Sequence, residues 1–338
     1  MTGWTVLFRP ASGDERRRGL LAIEKLGLGW LLFTTLLIGV LWSRMNNPVG
    51  MLADRLQIVA GTLFLWGVYA LYPCRLLLFV RVTAQMALLS YWYPDTYEFN
   101  RLFPNLDHLF AAWEQQCFGG QPSLWFSRLC PGAWFSESLN LGYFAYYPMI
   151  VVVMVFYFLY RFARYEEASF IVMCSFFIYY FVYIFVPVAG PQFYFQAIGT
   201  EAAEAGRFVE LGTYFSRHTD MLPAPGDTEG VFYGLVRGAQ EAGERPTAAF
   251  PSSHIGISGI LLILAFSASR RLGWGLFPFF VLLCGATVYI QAHYLLDALA
   301  GLLSVVPVFL LSRWFYRRFF VSSSFSSNSQ PIRLLEPI

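Results

Sequence analysis

Runs of about 20 apolar residues recur along the chain, and this feature limits the possible folds most strongly. A helix needs about 20 such residues to cross a bilayer core that is about 30 Å thick. The composition agrees, because 57% of the 338 residues are hydrophobic and only 13% are charged, against about 25% charged residues in soluble domains. We therefore expect an all-α, polytopic membrane bundle of about eight helices. The predicted spans lie near residues 26–43, 56–73, 76–93, 139–160, 168–187, 252–269, 274–291 and 294–312.

The distribution of charge predicts the orientation of these spans. With a cytoplasmic N-terminus, the short inside segments are rich in arginine and the outside segments hold most of the acids, as the positive-inside rule requires. The first span follows Arg16, Arg17, Arg18 and Lys25 without a small-residue cleavage site, which indicates an anchor rather than a cleaved signal. The net charge of +2 gives no nucleic-acid footprint.

The predicted spans divide the chain into three parts. Residues 1–93 hold the N-terminal cytoplasmic segment and the first three spans, residues 94–320 form a core, and residues 321–338 are interpreted as a Ser-rich, flexible cytoplasmic tail. Within the core, residues 94–138 and 188–250 are predicted as long extracytoplasmic loops. Loops of that length are usually functional lids or disordered segments.

Five cysteines are scattered singly, without a C-x-x-C pair, which excludes zinc-ribbon and thioredoxin-type sites. Cys74, Cys174 and Cys284 fall in or beside apolar runs and are interpreted as packing residues. Cys117 and Cys130 share one predicted outer loop, so their pairing in a disulfide stays open and depends on the compartment.

Two of the four histidines lie at the outer ends of predicted spans, where ionisable residues are energetically costly and usually functional. His254 opens the sixth span and His293 opens the eighth, so the intervening hairpin returns both to one membrane face. Asp297 follows His293 by four residues, and on a helix its carboxylate would neighbour the ring and hold one nitrogen as a donor. One imidazole to attack and one to protonate a leaving oxygen suit phosphoryl transfer through a phosphohistidine. The alternative is that each histidine is an interfacial residue. The other two histidines, His108 and His218, lie in loops and are interpreted as solvated or structural.

The start of the sixth span predicts a binding site for an anion. Pro251, Ser252 and Ser253 precede His254, and the free N–H groups of a helix start suit an oxyanion. The serine hydroxyls add further donors. No carboxylate cluster for a metal is evident, so we expect neither a metal nor another cofactor.

These motifs resemble those of the type 2 phosphatidic acid phosphatase superfamily over roughly residues 95–310. The resemblance rests on a Pro-Ser-Ser-His box at residues 251–254 and a His-Tyr-Leu-Leu-Asp box at residues 293–297. An upstream Gly190-Pro191-Gln192 stretch matches a third box, in which many members place arginine where this chain has glutamine. The resemblance implies a six-helix phosphatase-type core.

Other positions resemble the inositol phosphorylceramide synthase branch of that superfamily. Thr287 stands where phosphatase members often have arginine, and Ala-Thr-x-Tyr precedes the second histidine box. The outer loop from Asp107 through Glu114 to Trp125 and the Tyr-Phe-Ala-Tyr-Tyr-Pro stretch at residues 143–148 are similar to the same branch.

The resemblance implies roles for individual residues. His293 would be the nucleophile, Asp297 would orient and charge-balance it, and His254 would serve as general acid and then as base. The phosphate oxygens would be bound by the remaining site residues, namely Ser252, Ser253, Gln192, Arg245 and Pro191.

The leading functional hypothesis is a lipid phosphotransferase that moves a phospho-headgroup, such as inositol phosphate from phosphatidylinositol, to a ceramide-like lipid. The missing arginines favour a singly charged phosphodiester over a dianionic monoester. One alternative is a lipid phosphatase acting on phosphatidic acid, undecaprenyl pyrophosphate or a phosphatidylinositol phosphate with water as the acceptor. Another is a non-enzymatic channel or scaffold, which the scarcity of ionisable residues in the middle of the spans disfavours.

The expected partners are therefore a phospholipid donor and a sphingolipid or ceramide acceptor, with no nucleic acid. The site would face away from the cytosol, on the periplasmic side of a bacterial inner membrane or in a Golgi lumen. The absence of an N-x-[ST] sequon favours the bacterial membrane. The sequence leaves the oligomeric state, the donor headgroup and the acceptor lipid open.

Overall fold

The computed structural model describes residues 5–11 and 17–320. Within these ranges every helical or extended element is a helix, apart from one isolated bridge between Pro10 and Cys74. The expected flexible tail at residues 321–338, and Arg16 of the N-terminal basic cluster, lie outside the described residues.

Sixteen α-helices follow one another along the described chain. Their bounds are α1 Thr5–Phe8, α2 Ala22–Leu41, α3 Pro48–Leu71, α4 Arg75–Ala87, α5 Leu89–Asn100, α6 Asp107–Phe118, α7 Pro122–Leu129, α8 Ala133–Phe144, α9 Tyr146–Tyr160, α10 Tyr165–Phe185, α11 Pro191–Ile198, α12 Thr200–Glu204, α13 Val231–Gly243, α14 Ser253–Ala268, α15 Arg270–Tyr289 and α16 Leu295–Phe320.

Among the described residues, six helical segments are long and apolar enough to cross a membrane, which makes the chain a polytopic helical bundle. They are Ala22–Arg44, Pro48–Leu71, Arg75–Asn100, Phe162–Phe185, Arg270–Tyr289 and Leu295–Phe320. All six match predicted spans. The second and third are joined by a tight connection at Tyr72, Pro73 and Cys74.

The other two predicted spans differ from continuous, full-length helices. The run at 139–160 is divided into α8 and α9, whose axes bend by 43°. Pro148 explains the break, because it has no N–H to donate to the carbonyl four residues earlier, at Phe144. The run at 252–269 forms α14, which has only 16 residues and lies below the usual spanning length of about 20.

The chain divides into two compact units, the first formed by the described residues of Met1–Tyr91, Met154–Phe177 and Leu310–Ile338. Its interior holds an ion pair between Glu24 on α2 and Arg81 on α4, with 2.5 Å between Oε2 and Nη2 and both side chains 1% exposed. Mutual neutralisation lets two charged groups lie within spanning helices.

The second unit, Trp92–Val153 and Ile178–Phe309, contains all the predicted site residues. Of its two segments expected as long loops, 94–138 is largely helical, whereas 188–250 holds α11, α12 and α13 and a non-helical stretch before α13. The two segments pack on each other. The Asn105 N–H donates to the Gly212 carbonyl at 2.7 Å. The Glu137 carboxylate accepts the N–H groups of Phe232 and Tyr233 at the start of α13, at 2.9 and 2.8 Å.

All five cysteines are free thiols in the structure. Cys117 is exposed and Cys130 is half-buried, with no disulfide between them. Cys74 and Cys174 are buried, as their interpretation as packing residues implies, whereas Cys284 is only partly buried.

Candidate active site

The two histidines selected from the sequence meet at one end of the second unit. His254 lies in the first turn of α14, and His293 lies in the turn between α15 and α16. The Nε2 atom of His293 is 3.5 Å from the Nδ1 atom of His254. His293 is buried, whereas His254 is partly exposed, so a substrate can reach the pair from the His254 side.

A backbone carbonyl fixes the orientation of the His293 ring. The Nδ1 atom of His293 lies 2.8 Å from the Ala249 carbonyl oxygen. Because a carbonyl only accepts hydrogen bonds, Nδ1 carries the proton and Nε2 keeps its lone pair. The lone pair points toward His254, which leaves a nucleophilic nitrogen facing a second imidazole.

Asp297 contacts this histidine differently from the sequence expectation. Its Oδ2 atom is 3.8 Å from Nδ1 of His293, which is too far for a hydrogen bond. The same oxygen accepts the Tyr294 N–H at 2.9 Å. The expectation assumed that both residues lie on one helix, but α16 begins at Leu295 and His293 precedes it. Asp297 therefore makes no hydrogen bond with the ring and instead holds the turn through the Tyr294 N–H.

Burial keeps the His293 imidazole neutral. It lowers the pKa of His293 to about 4, while the hydrogen bond to Ala249 and the Glu244 carboxylate act in the opposite direction. At neutral pH the ring is therefore unprotonated at Nε2 and ready to attack an electrophile.

Aromatic side chains position His254. Its ring lies 4.7 Å from the Tyr143 ring with an interplanar angle of 27°, and 4.6 Å from the Tyr146 ring. Tyr143 is the penultimate residue of α8 and Tyr146 begins α9, so the break caused by Pro148 turns both rings onto the histidine. This contact places the Tyr-Phe-Ala-Tyr-Tyr-Pro stretch beside the site.

The serines at the start of α14 are largely engaged within the protein. Ser252 is fully buried, and its Oγ atom accepts the Ile255 N–H at 3.5 Å as a helix cap. The Ser253 N–H donates to the Tyr183 hydroxyl at 3.0 Å. The Ser252 hydroxyl oxygen and both of these N–H groups thus have partners within the protein, and phosphate binding by Ser252 stays a prediction. The Ser253 side chain is partly exposed and stays a candidate.

The Gly-Pro-Gln stretch packs against the turn that carries His293. Gly190 has φ of +96°, and a Cβ atom there would lie 2.7 Å from the Ala292 carbonyl oxygen, so only glycine fits. Pro191 begins α11, and the Gln192 N–H donates to the Gln291 carbonyl at 2.9 Å. The buried Gln192 side chain accepts from Gln240 at 3.2 Å, which leaves its own amide group as a donor.

Arg245 and Glu244 lie just before the first histidine box. The Arg245 guanidinium donates to the Glu244 carbonyl at 2.8 Å. Burial raises the pKa of Glu244 to about 6, while the charge of His293, the Tyr93 hydroxyl and the charge of Arg245 act in the opposite direction. The site therefore combines one partly buried arginine with a carboxyl group that is ionised at neutral pH.

Comparison with known protein families identifies the family of this chain. A model of the PAP2 superfamily matches residues 108–311, more than half of the chain and all of the site residues described above except Tyr93. The chain belongs to the PAP2 superfamily. No curated protein and no solved structure matches it.

Members of the PAP2 superfamily are phosphatases or phosphotransferases, so this integral membrane protein is an enzyme of that chemistry. Within the described residues, no group of three or more His, Cys, Asp or Glu side chains could hold a metal ion.

Sequence reasoning missed three groups of this PAP2 site. The Ala249 carbonyl has no sequence signal, because any residue supplies a backbone oxygen. Glu244 was counted only among the outside acids, and nothing in its neighbourhood indicates that it folds beside His293. Tyr183 also carries no motif, although its hydroxyl joins the Pro251 carbonyl to the Ser253 N–H.

Proposed function

We propose that this PAP2 enzyme is a lipid phosphotransferase that moves a phospho-headgroup to a ceramide-like lipid through a phosphohistidine at His293. Inositol phosphate from phosphatidylinositol is the headgroup that we propose. The observation that carries this proposal is the Nδ1 hydrogen bond to Ala249, which leaves the Nε2 lone pair of His293 aimed at His254.

Two displacements make up the proposed reaction. Nε2 of His293 attacks the phosphorus, the bond to the diacylglycerol oxygen breaks, and His254 acts as general acid and gives a proton to that oxygen. His254 then takes the proton of the primary hydroxyl of the acceptor, the hydroxyl oxygen attacks the phosphorus, and the N–P bond breaks. Diacylglycerol leaves in the first half-reaction and the new phosphosphingolipid leaves in the second.

The surroundings of the histidines support a phosphodiester substrate. Thr287, at the position where phosphatase members often have arginine, is buried, and its carbonyl accepts the His293 N–H at 3.0 Å. Gln192 supplies a neutral amide in the Gly-Pro box. With Arg245 as the cation near the box and Glu244 opposing it, a singly charged phosphate is favoured over a dianion.

The test is a lipid-product assay on the purified protein in detergent, with phosphatidylinositol, a fluorescent ceramide and EDTA. We expect an inositol-phosphate sphingolipid and diacylglycerol in equal amounts. His293→Ala should abolish both products. His218→Ala is the matched control, because His218 lies in an exposed loop and stacks on Tyr214 at 4.0 Å, and it should keep full activity.

Other results of the same assay would contradict the proposal. Release of inorganic phosphate from phosphatidic acid, undecaprenyl pyrophosphate or a phosphatidylinositol phosphate, without transfer to ceramide, would identify a phosphatase that uses the same histidines with water. Full transfer activity in His293→Ala would reject the phosphohistidine.

A further inference from the structure

Two carboxylates on α6 are buried beside the active site and take no part in the proposed displacements. Asp107 and Glu114 are seven residues apart, so they lie on the same face of the helix. Both are 0% exposed. Burial of carboxylates is unfavourable unless they are well bonded, so their contacts indicate their role.

Asp107 joins the Gly190 turn to the residue that follows His293. Its Oδ2 atom accepts the Ala189 N–H at 2.6 Å and its Oδ1 atom accepts the Gly190 N–H at 2.8 Å. Oδ1 also accepts the Tyr294 hydroxyl at 3.0 Å, and Oδ2 accepts the Asn105 amide at 2.5 Å. Both oxygens thus act as acceptors. Burial raises the pKa of Asp107, while these four hydrogen bonds act in the opposite direction.

Glu114 caps the start of α16, two residues after His293. Its Oε1 atom accepts the N–H groups of Leu295 and Leu296, at 2.5 and 3.3 Å. A helix start has free N–H groups that need acceptors, and here a residue far away in sequence supplies one. The Oε2 atom is buried without a hydrogen-bond partner.

The protonation state of Glu114 agrees with this asymmetry. Burial and the negative charge of Asp297 raise the pKa of Glu114 to about 8, while the Leu296 and Leu295 N–H groups act in the opposite direction. At neutral pH one oxygen accepts from the helix and the other carries the proton.

We propose that α6 is a positioning template, in which Asp107 and Glu114 set the Gly190 turn and the His293 turn at the spacing that group transfer requires. The proposal rests on the proposed function of His293. The two turns are about 100 residues apart in sequence, and α6 bonds to both of them from one rigid helix. Catalytic groups lose rate steeply when displaced, by about 100-fold for 1 Å, so a template of this kind acts on kcat.

Substitutions at Glu114 and Asp107 separate the positioning role of α6 from effects of charge and of protein stability. Glu114→Gln keeps an acceptor oxygen for both N–H groups and mimics the protonated acid, so kcat should stay within about threefold of the wild type. Glu114→Ala removes the acceptor and should lower kcat by about 10- to 100-fold. Asp107→Asn presents an NH₂ group to at least one donor whichever way it is turned, and should lower kcat to a similar extent. KM should change by less than about threefold in all three variants.

Two control variants test whether a loss of kcat follows from general destabilisation of the fold. Glu24→Gln breaks the buried ion pair with Arg81 in the other unit and should lower the Tm without lowering kcat. Gln116→Ala changes an exposed residue of α6 and should leave both unchanged. A loss of kcat in Glu24→Gln as large as in Asp107→Asn would overturn the template.

Amide hydrogen exchange gives a readout that does not depend on the reaction. Exchange should accelerate at Ala189 and Gly190 in Asp107→Asn, and at Leu295 and Leu296 in Glu114→Ala. Unchanged exchange at these amides, or wild-type kcat in both variants, would overturn the proposal. If His293→Ala were active, the proposed function would fail, while the exchange rates would still decide whether α6 positions the turns.

Discussion

At the scale of single residues, the His293 ring owes its orientation to the Ala249 carbonyl and its neutrality to burial. Asp297 lies 3.8 Å from Nδ1 and accepts the Tyr294 N–H. The tautomer of the nucleophile and the conformation of its turn are therefore provided by different groups, and substitutions should separate them.

Asp297→Asn should test this separation. In Ser-His-Asp triads the corresponding change costs about 10⁴-fold in kcat because the wrong tautomer forms. Here the Ala249 carbonyl keeps the tautomer, and an asparagine oxygen can still accept from Tyr294, so we expect a loss of about tenfold, or ~1.4 kcal/mol. A loss above about 1,000-fold, measured as kcat at saturating lipid, would show that Asp297 sets the tautomer after all.

The pH dependence of kcat/KM follows from the lowered pKa of His293. The nucleophile is the neutral ring, so activity is present above the pKa of about 4 and is lost as the pH falls through it. We expect a limb that steepens to about tenfold per pH unit below that value. A limb near pH 6.5 in the wild type would contradict a buried, desolvated nucleophile.

The sequence identified the histidine pair because ionisable residues are rare in a chain with 13% charged residues. Because both histidines lie at the outer ends of predicted spans, they were expected on the same face of the membrane. The sequence could not reveal the hydrogen bonds of their rings, because Ala249 acts through its backbone and Glu244 approaches through tertiary folding. Ser252 matched an anion-binding pattern, yet its hydroxyl caps α14, which is the other common use of serine at that position.

At the scale of helices, the sequence predicted which segments are apolar helices but not where each helix begins and ends. Hydrophobic runs located all eight apolar segments, but the run at 139–160 does not form one helix. Pro148 lies near its middle, and its missing N–H separates α8 from α9. Reading this proline as a break would have predicted the bend that brings Tyr143 and Tyr146 to His254.

Close packing between α14 and α16 should be sensitive to a single methyl group. A Cβ atom at Gly301 would lie 2.5 Å from the Ser252 carbonyl oxygen, which belongs to the backbone just before His254. Overpacking costs about 1–3 kcal/mol and outweighs the helix-propensity gain of alanine, about 1 kcal/mol. Gly301→Ala should therefore lower the Tm and kcat together.

Gly67→Ala on α3 is the matched control for this substitution. A Cβ atom there meets nothing within 4 Å, so only the propensity gain remains and the Tm should hold or rise. Thermal unfolding in detergent and a parallel assay of transfer check both variants. An unchanged Tm and kcat in Gly301→Ala would show that α16 moves freely away from α14.

At the scale of the whole molecule, the charge pattern predicts which side of the membrane holds the site. We propose that the active site faces the periplasm of a bacterial inner membrane. Cys117, exposed at the end of α6, should then react with a membrane-impermeant maleimide added outside spheroplasts. In a Cys117→Ser background, Arg270→Cys at the connection between α14 and α15 should react only after the membrane is permeabilised. The reverse labelling pattern would invert the topology.

The short α14 has a consequence for the lipid that surrounds the enzyme. Sixteen residues rise about 24 Å, about 6 Å less than a typical hydrocarbon core. His254, in the first turn of this helix, then lies below the level of the phosphates unless the bilayer thins around it. We therefore expect turnover to depend on the acyl-chain length of the surrounding lipids and to be faster in thinner bilayers.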